Sequence, residues 1–323
     1  MTGSVSIKVR DKRNSYSFVL RRNITILSGD SGRGKTTLYE MIADYNEYGK
    51  ASNVKISCDR NVVALGGSNW QESLEKTNDS VIVIDEDNKF IRSEEFADAV
   101  KNSSNYFLII TRSYLEQLPY SVDEIYEISG QKNKKFKAVY RSREHMYDGL
   151  TARQLPFKPE LIITEDSGSG YQFFKSLADK HHMECVAAAG KSNIIRLLKN
   201  YFDKNVLVVA DGAAFGAEIQ DIVKAQQLRP GKIGIFLPES FEWLILKSGL
   251  VNDPEWEMIT APEKYVDSQK FFSWERYFTD LLVETTRGMD YKQYPANKSS
   301  LPEFYTHEKS VGQIRKNMSG IDF

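Results

Sequence analysis

The sequence predicts an α/β protein of two successive domains, each a largely parallel sheet with helices between its strands. Three observations predict it. Continuous apolar runs recur at 81–84 and 106–110, and again at 161–163, 206–209 and 233–237, with a β-rich run interrupted only by Thr25 at 24–27; runs without polar alternation belong to strands buried on both faces. Most end in a turn of glycines or carboxylates, with apolar positions at helical spacing beyond several of them, which is the order of a βα unit. Composition agrees, because 323 residues that are 41% hydrophobic and 12% aromatic can bury two cores.

Taken in order, Ser4-Val5-Ser6-Ile7-Lys8-Val9 alternates as a first strand. Ile24 to Leu27 form a buried strand, and Gly29-Asp30-Ser31-Gly32-Arg33-Gly34-Lys35-Thr36-Thr37 then satisfies G-x-x-x-x-G-K-[ST] before a helical run from Thr37 to Ala43. Strand, glycine loop and helix stand in the order a phosphate-binding loop requires. The glycines let backbone N–H groups and the helix N-terminus face one anion. Lys35 is placed for β- and γ-phosphates and the Thr36 hydroxyl for Mg²⁺.

Val62 to Leu65 and Gly66-Gly67-Ser68 read as a strand and its turn into a helix. Val81-Ile82-Val83-Ile84-Asp85-Glu86 is a short buried strand ending in two carboxylates. It has the Walker B pattern, with Asp85 a Mg²⁺ ligand through water and Glu86 the base that polarises an attacking water. Tyr106 to Ile110 end in Thr111-Arg112. The first half thus resembles P-loop ATPases of the RecA and ABC type, in which a polar residue at that strand end lies beside the γ-phosphate and a nearby arginine neutralises transition-state charge. The resemblance implies ATP with Mg²⁺ and, because such sites draw on a neighbouring subunit, an ATP-dependent homodimer. No guanine-reading N-K-x-D occurs, which favours ATP over GTP. A kinase shares the loop but needs a lid of arginines, for which Arg141, Arg143 and Arg153 are the candidates.

Tyr126 to Ser129 and Lys135 to Tyr140 form a hairpin around Gly130-Gln131-Lys132-Asn133. The densest basic run lies here, with Lys132, Lys134, Lys135, Lys137, Arg141 and Arg143 interleaved by Phe136 and Tyr140. It reads as an edge strand with solvated charges or as a local nucleic-acid footprint, and a net charge of -1 leaves only a local one. Polar residues, Pro156 and Pro159 then separate a P-loop NTPase domain, 1–148, from a second domain, 149–323.

The second domain opens with Leu161-Ile162-Ile163-Thr164-Glu165-Asp166 and a glycine-rich turn into a helix from Tyr171 to His181. A strand at Val186 to Ala189, the turn Gly190-Lys191-Ser192-Asn193, a helix from Ile194 to Phe202, and a strand Val206 to Ala210 ending in Asp211-Gly212-Ala213 follow. Carboxylates after strand C-termini mark the ligand-binding edge of an open α/β sheet. Across residues 158–240 this domain resembles the TOPRIM fold of topoisomerases, primases and OLD-family nucleases, and the ATPase-then-TOPRIM order is similar to the OLD layout. The resemblance implies Mg²⁺ held by Glu165 and Asp211 for phosphoryl transfer on nucleic acid, DNA favoured, with Lys191 a candidate phosphate contact. Ala213 stands where the family carries its second Asp, and Glu218 or Asp166 are the substitutes at hand. A flavodoxin-like or Rossmann-like sheet with acidic strand ends is the other reading of the same residues, and an inactive TOPRIM-like domain in a regulatory or scaffolding protein is the alternative function.

Ile233 to Leu237 form a fourth strand, and the helix after it carries Glu239 and Glu242 one turn apart near its N-terminus, where both can face one cleft or, as the favoured reading, complement the helix dipole. Ser273 to Leu282 read as a packing helix, and the tail from Asp290, with Tyr291, Lys292, Tyr294, Lys298 and Tyr305, as a basic and aromatic surface segment suited to single strands. Together these form a helical C-terminal extension. Only Cys58 and Cys185 occur, no long apolar run appears and no secretory signal is visible, so a cytoplasmic protein without membrane contact is expected.

Overall fold

The computed structural model describes residues 1–143, 145–147, 156–251 and 254–323. The chain is α/β and divides into two units, the first comprising Met1–Val139 with Ala261–Ser273 and the second Tyr140–Thr260 with Trp274–Phe323. The division precedes the break expected after residue 148, because the strand that contains the basic run ends the first sheet and the chain at once enters the second. Residues 261–273 rejoin the first unit through backbone and side-chain bonds: Gly3 N donates to Glu263 O at 2.7 Å and Asn23 Nδ2 to Phe272 O at 3.0 Å.

The first unit contains β1 (Val5–Arg10), β2 (Ser15–Leu20), β3 (Ile24–Leu27), α1 (Lys35–Tyr48), β4 (Lys55–Ser57), β5 (Val62–Ala64), α2 (Trp70–Glu75), β6 (Val81–Ile84), α3 (Glu94–Lys101), β7 (Tyr106–Ile110), β8 (Ile125–Ser129) and β9 (Asn133–Ala138). One mixed sheet holds all nine strands in the order β4-β1-β2-β9-β8-β3-β7-β6-β5. Strands β8, β3, β7, β6 and β5 run parallel. Every residue of β3, β6 and β7 is buried, as the continuous apolar runs of β6 and β7 require, and the one polar residue of β3, Thr25, donates to Glu124 Oε2 at 3.1 Å. Ser93 starts α3 by accepting a hydrogen bond from Phe96 N.

Strand β9 corrects the edge-strand expectation: it pairs antiparallel with β8 and parallel with β2, inside the sheet. The packing of its inward face gives the reason. Phe136 faces the core and stacks on Phe18 with ring centroids 4.2 Å apart, while Lys135 and Lys137 point to solvent.

The second unit contains β10 (Ser142–Arg143), β11 (Met146–Tyr147), β12 (Leu161–Thr164), α4 (Ser169–Lys180), β13 (Glu184–Ala187), α5 (Ile194–Asn200), β14 (Val206–Val209), α6 (Ile219–Leu228), β15 (Ile233–Phe236), α7 (Phe241–Lys247), α8 (Trp256–Thr260), α9 (Trp274–Thr285) and α10 (Glu308–Arg315). Its sheet runs β10-β11-β15-β14-β12-β13, with β13, β12, β14 and β15 parallel. The parallel core therefore starts at β12, steps one way to β13 and the other way to β14 and β15. The reversal lies between β12 and β14, the switch point at which open α/β sheets bind ligands.

The C-terminal segment also departs from expectation. Tyr294 and Tyr305 are buried, because Tyr294 bonds to Glu242 and Tyr305 Oη donates to Lys292 O at 2.8 Å. The segment is packed rather than a loose surface tail, although Tyr291 is 67% exposed. Among the described residues no helix is long and apolar enough to cross a membrane.

Candidate functional site

Two clusters stand at the C-terminal ends of parallel strands, one in each unit. In the first, Gly29, Gly32 and Gly34 adopt φ of 98°, 76° and 96°, a left-handed conformation that side chains resist. The chain from β3 thereby curls into a tight loop before α1. A Cβ on Gly34 would lie 2.7 Å from both Lys134 Nζ and Tyr16 Oη. Tyr16 Oη donates to Gly34 O at 2.8 Å, and Lys134 Nζ donates to Tyr16 Oη at 3.0 Å and to Asn14 Oδ1 at 2.9 Å. Burial raises the Tyr16 hydroxyl to about 12, so it stays a donor at neutral pH.

Lys35 opens α1 and folds back across the loop, donating to Gly29 O at 2.6 Å and Asp30 O at 2.8 Å. Its stem is buried, and burial followed by the Arg112 charge lowers its proton affinity, opposed by Glu86, Asp30 and Asp85. These groups therefore share one locality at the ends of β3, β6 and β7. Asp85 is 3% exposed, and its Oδ2 accepts no hydrogen bond among the described residues. An orphaned buried carboxylate oxygen is costly unless a cation or donor completes it. Glu86 Oε1 lies 3.3 Å from Arg112 Nη2, and Thr111 is buried beside them. Asp30, Ser31, Arg33 and Thr36 remain exposed on or beside the loop, and Thr37 is half-buried. The predicted residues Gly29 to Thr37, Asp85 and Glu86 are thus assembled at one sheet edge. Tyr16 and Lys134 were missed, although alternation along β9 puts Lys134 on the Phe136 face.

This arrangement suits an anion approached by loop N–H groups and an ammonium, with Mg²⁺ beside it. The orphaned Asp85 oxygen and the cradle closed to a Cβ at Gly34 fit that pairing. The Lys132 to Arg141 run contributes unevenly, since Lys134 is committed to Tyr16 and Lys137 Nζ pairs with Glu127 Oε1 at 2.9 Å. Arg153 and the Arg143 side chain lie outside the described residues.

In the second unit, Glu165 follows β12 and Asp211 follows β14, so the switch point brings both predicted carboxylates together. Asp211 N donates to Glu165 Oε2 at 3.2 Å, and Phe241 N donates to Asp211 Oδ1 at 3.2 Å. They line a cavity of about 120 Å³ with Asp166, Glu242, Glu275 and Lys298. Glu242 comes from α7, Glu275 from α9 and Lys298 from the segment beyond, and no short-range spacing in the sequence links them. Lys298 Nζ lies 2.8 Å from Glu275 Oε1, 3.2 Å from Glu242 Oε2 and 3.8 Å from Asp211 Oδ2.

Burial raises Glu165 to about 7, with Lys191 opposing and Glu275 reinforcing. Asp211 is held well above its ordinary value by burial, then by Glu275, with Lys298 opposing. Burial works against the Lys298 ammonium, yet Asp211, Glu242 and Glu275 together raise its proton affinity. Glu242 lies in the first turn of α7 and also faces this cavity: Tyr294 Oη donates to its Oε1 at 2.6 Å and also meets the Ser169 hydroxyl. Lys191 donates to the Ala214 carbonyl, and Ala213 is buried. Among the described residues no three His, Cys, Asp or Glu side chains are grouped to hold a metal ion.

No family model, curated protein or solved structure matches the chain.

Proposed function

We propose that the first unit is a P-loop ATPase that binds ATP with Mg²⁺ and hydrolyses it, and that the second is a TOPRIM-like module coupled to it that engages nucleic acid, DNA before RNA. One observation carries the reading: the glycine loop, Lys35, Asp85, Glu86 and Arg112 meet at a single sheet edge, and Asp85 there keeps a buried oxygen without a hydrogen-bond partner among the described residues. Thr36 and Asp85 are the residues to hold Mg²⁺, which when bound neutralises phosphate charge. Lys35 exchanges two loop carbonyls for phosphate oxygens. Glu86 orients the attacking water and accepts its proton, and Arg112 sets a positive charge beside it.

The test is nucleotide binding and turnover on the intact chain. Lys35→Ala is expected to weaken ATP binding at least about tenfold, the worth of one lost charge-assisted contact. Glu86→Gln is expected to retain binding and lose about 10²- to 10⁴-fold in turnover. Normal hydrolysis by Glu86→Gln removes the base assignment. Trapped with ATP, that variant is also expected to double in mass by light scattering; an unchanged mass sinks the homodimer.

A second reading, a regulatory or scaffolding ATPase whose TOPRIM-like unit is inactive, is favoured by Ala213 in the place of a carboxylate and by a lysine among the remaining ones. Cleavage of plasmid and single-stranded DNA with Mg²⁺ or Mn²⁺ separates the two. Cleavage that disappears in both Glu165→Ala and Asp211→Ala rules out the inactive form; no cleavage in the native chain supports it.

A further inference from the structure

The carboxylate cavity at the β12/β14 switch point contains a cation already, and the chain supplies it. Lys298 reaches three acids that arrive on three different elements, Asp211 after β14, Glu242 on α7 and Glu275 on α9. Glu242 is 1% exposed, and its Oε2 accepts no hydrogen bond among the described residues, so the ammonium 3.2 Å away is its compensation. A carboxylate this buried demands a positive partner.

The lysine is fixed there by its backbone. Ser169 N, at the start of α4, donates to Lys298 O at 2.9 Å, and a Cβ on Gly168 would fall 2.6 Å from that oxygen. Leu301 N donates to Gln172 Oε1 at 2.8 Å, and Tyr294, four residues before Lys298, bonds to Glu242. Both flanks of the lysine are therefore tied to the elements that frame the cavity. Lys298 itself adopts φ 53°, a conformation that lysine takes at a cost.

A hard divalent ion needs several oxygens at about 2.0–2.6 Å. Here Ala213 offers none, and the ammonium occupies the common reach of the three acids. The residues present do not fit the Mg²⁺ that the TOPRIM resemblance implies.

We propose that the Lys298 ammonium takes the place of a divalent cation in this cavity, so that the second unit carries a built-in counter-ion and performs no metal-assisted phosphoryl transfer. The inference concerns the second unit alone and does not depend on nucleotide binding by the first.

The experiment is Mn²⁺ binding to the nucleotide-free full chain, read from loss of the free-ion electron paramagnetic resonance signal. The native chain and Asp211→Asn are expected to bind the same amount of Mn²⁺. Lys298→Met is expected to melt at a lower temperature, to gain one Mn²⁺ per chain, and to regain part of the lost melting temperature when Mn²⁺ is added. Adding Asp211→Asn to Lys298→Met abolishes that gain. Two results overturn the proposal: native binding that falls in Asp211→Asn, or a folded Lys298→Met that takes up no extra ion. Should Lys298→Met fail to fold, the comparison of the native chain with Asp211→Asn still decides.

Discussion

Glu124 is a buried acid, 3% exposed, outside both candidate sites. Thr25 Oγ1 donates to its Oε2 at 3.1 Å and Arg22 Nε lies 3.7 Å from Oε1. Burial nevertheless raises the carboxyl to about 7, with Arg22 and Thr25 opposing. The folded carboxyl then holds its proton where the unfolded one, near 4.5, has released it. The folded state binds more protons in that window, so this group's contribution falls as pH rises from 4.5 towards 7. Over the window the loss is roughly 2–3 kcal/mol. Urea unfolding of the native chain against Glu124→Gln tests this: the difference in stability between them should vary with pH in that sense. A difference independent of pH refutes it. At this scale the sequence revealed residues within one motif, such as Lys35 and Asp85, because a loop or strand end sets their geometry. The grouping of Glu242 with Glu275 and Lys298 escaped because only tertiary folding brings them into one cavity.

At the scale of elements, the strands β6, β7, β12, β14 and β15 were legible because burial on both faces leaves an apolar run, and β3, broken by Thr25, was legible because the glycine loop follows it. Strand β2 was not: its alternating Ser15-Tyr16-Ser17-Phe18 has one face on the core and no adjoining motif to frame it. For β9 the alternation was visible but the neighbours were not, since an alternating strand reads alike at an edge or between partners. What fixes β9 inside the sheet is Phe136 against Phe18 and Tyr126. Phe136→Ala should cost about 2 kcal/mol, less than a fully buried phenylalanine because Phe136 is only half-buried. The same change should weaken the nucleotide binding proposed for the first unit, because β9 carries Lys134 to the Tyr16–Gly34 contact. Unchanged denaturation and unchanged nucleotide affinity together would show β9 to be dispensable for the loop.

On the scale of the whole molecule, the α/β class was readable from recurring apolar runs, while the change of unit at Val139/Tyr140 precedes the polar stretch that the sequence offered as the break. The return of Ala261–Ser273 to the first unit was not, because nothing in that segment's composition separates it from its neighbours. A fragment of residues 1–148 lacks that segment and is expected to melt at a lower temperature than the first unit in the intact chain, with a synthetic 261–273 peptide restoring part of the loss. A fragment indifferent to the peptide would make the segment incidental. The segment also imposes an order in time. During synthesis every strand of the second sheet is made before residue 261 exists, so the earlier-made unit must wait, incomplete, for a piece of itself that follows its successor's strands in the chain.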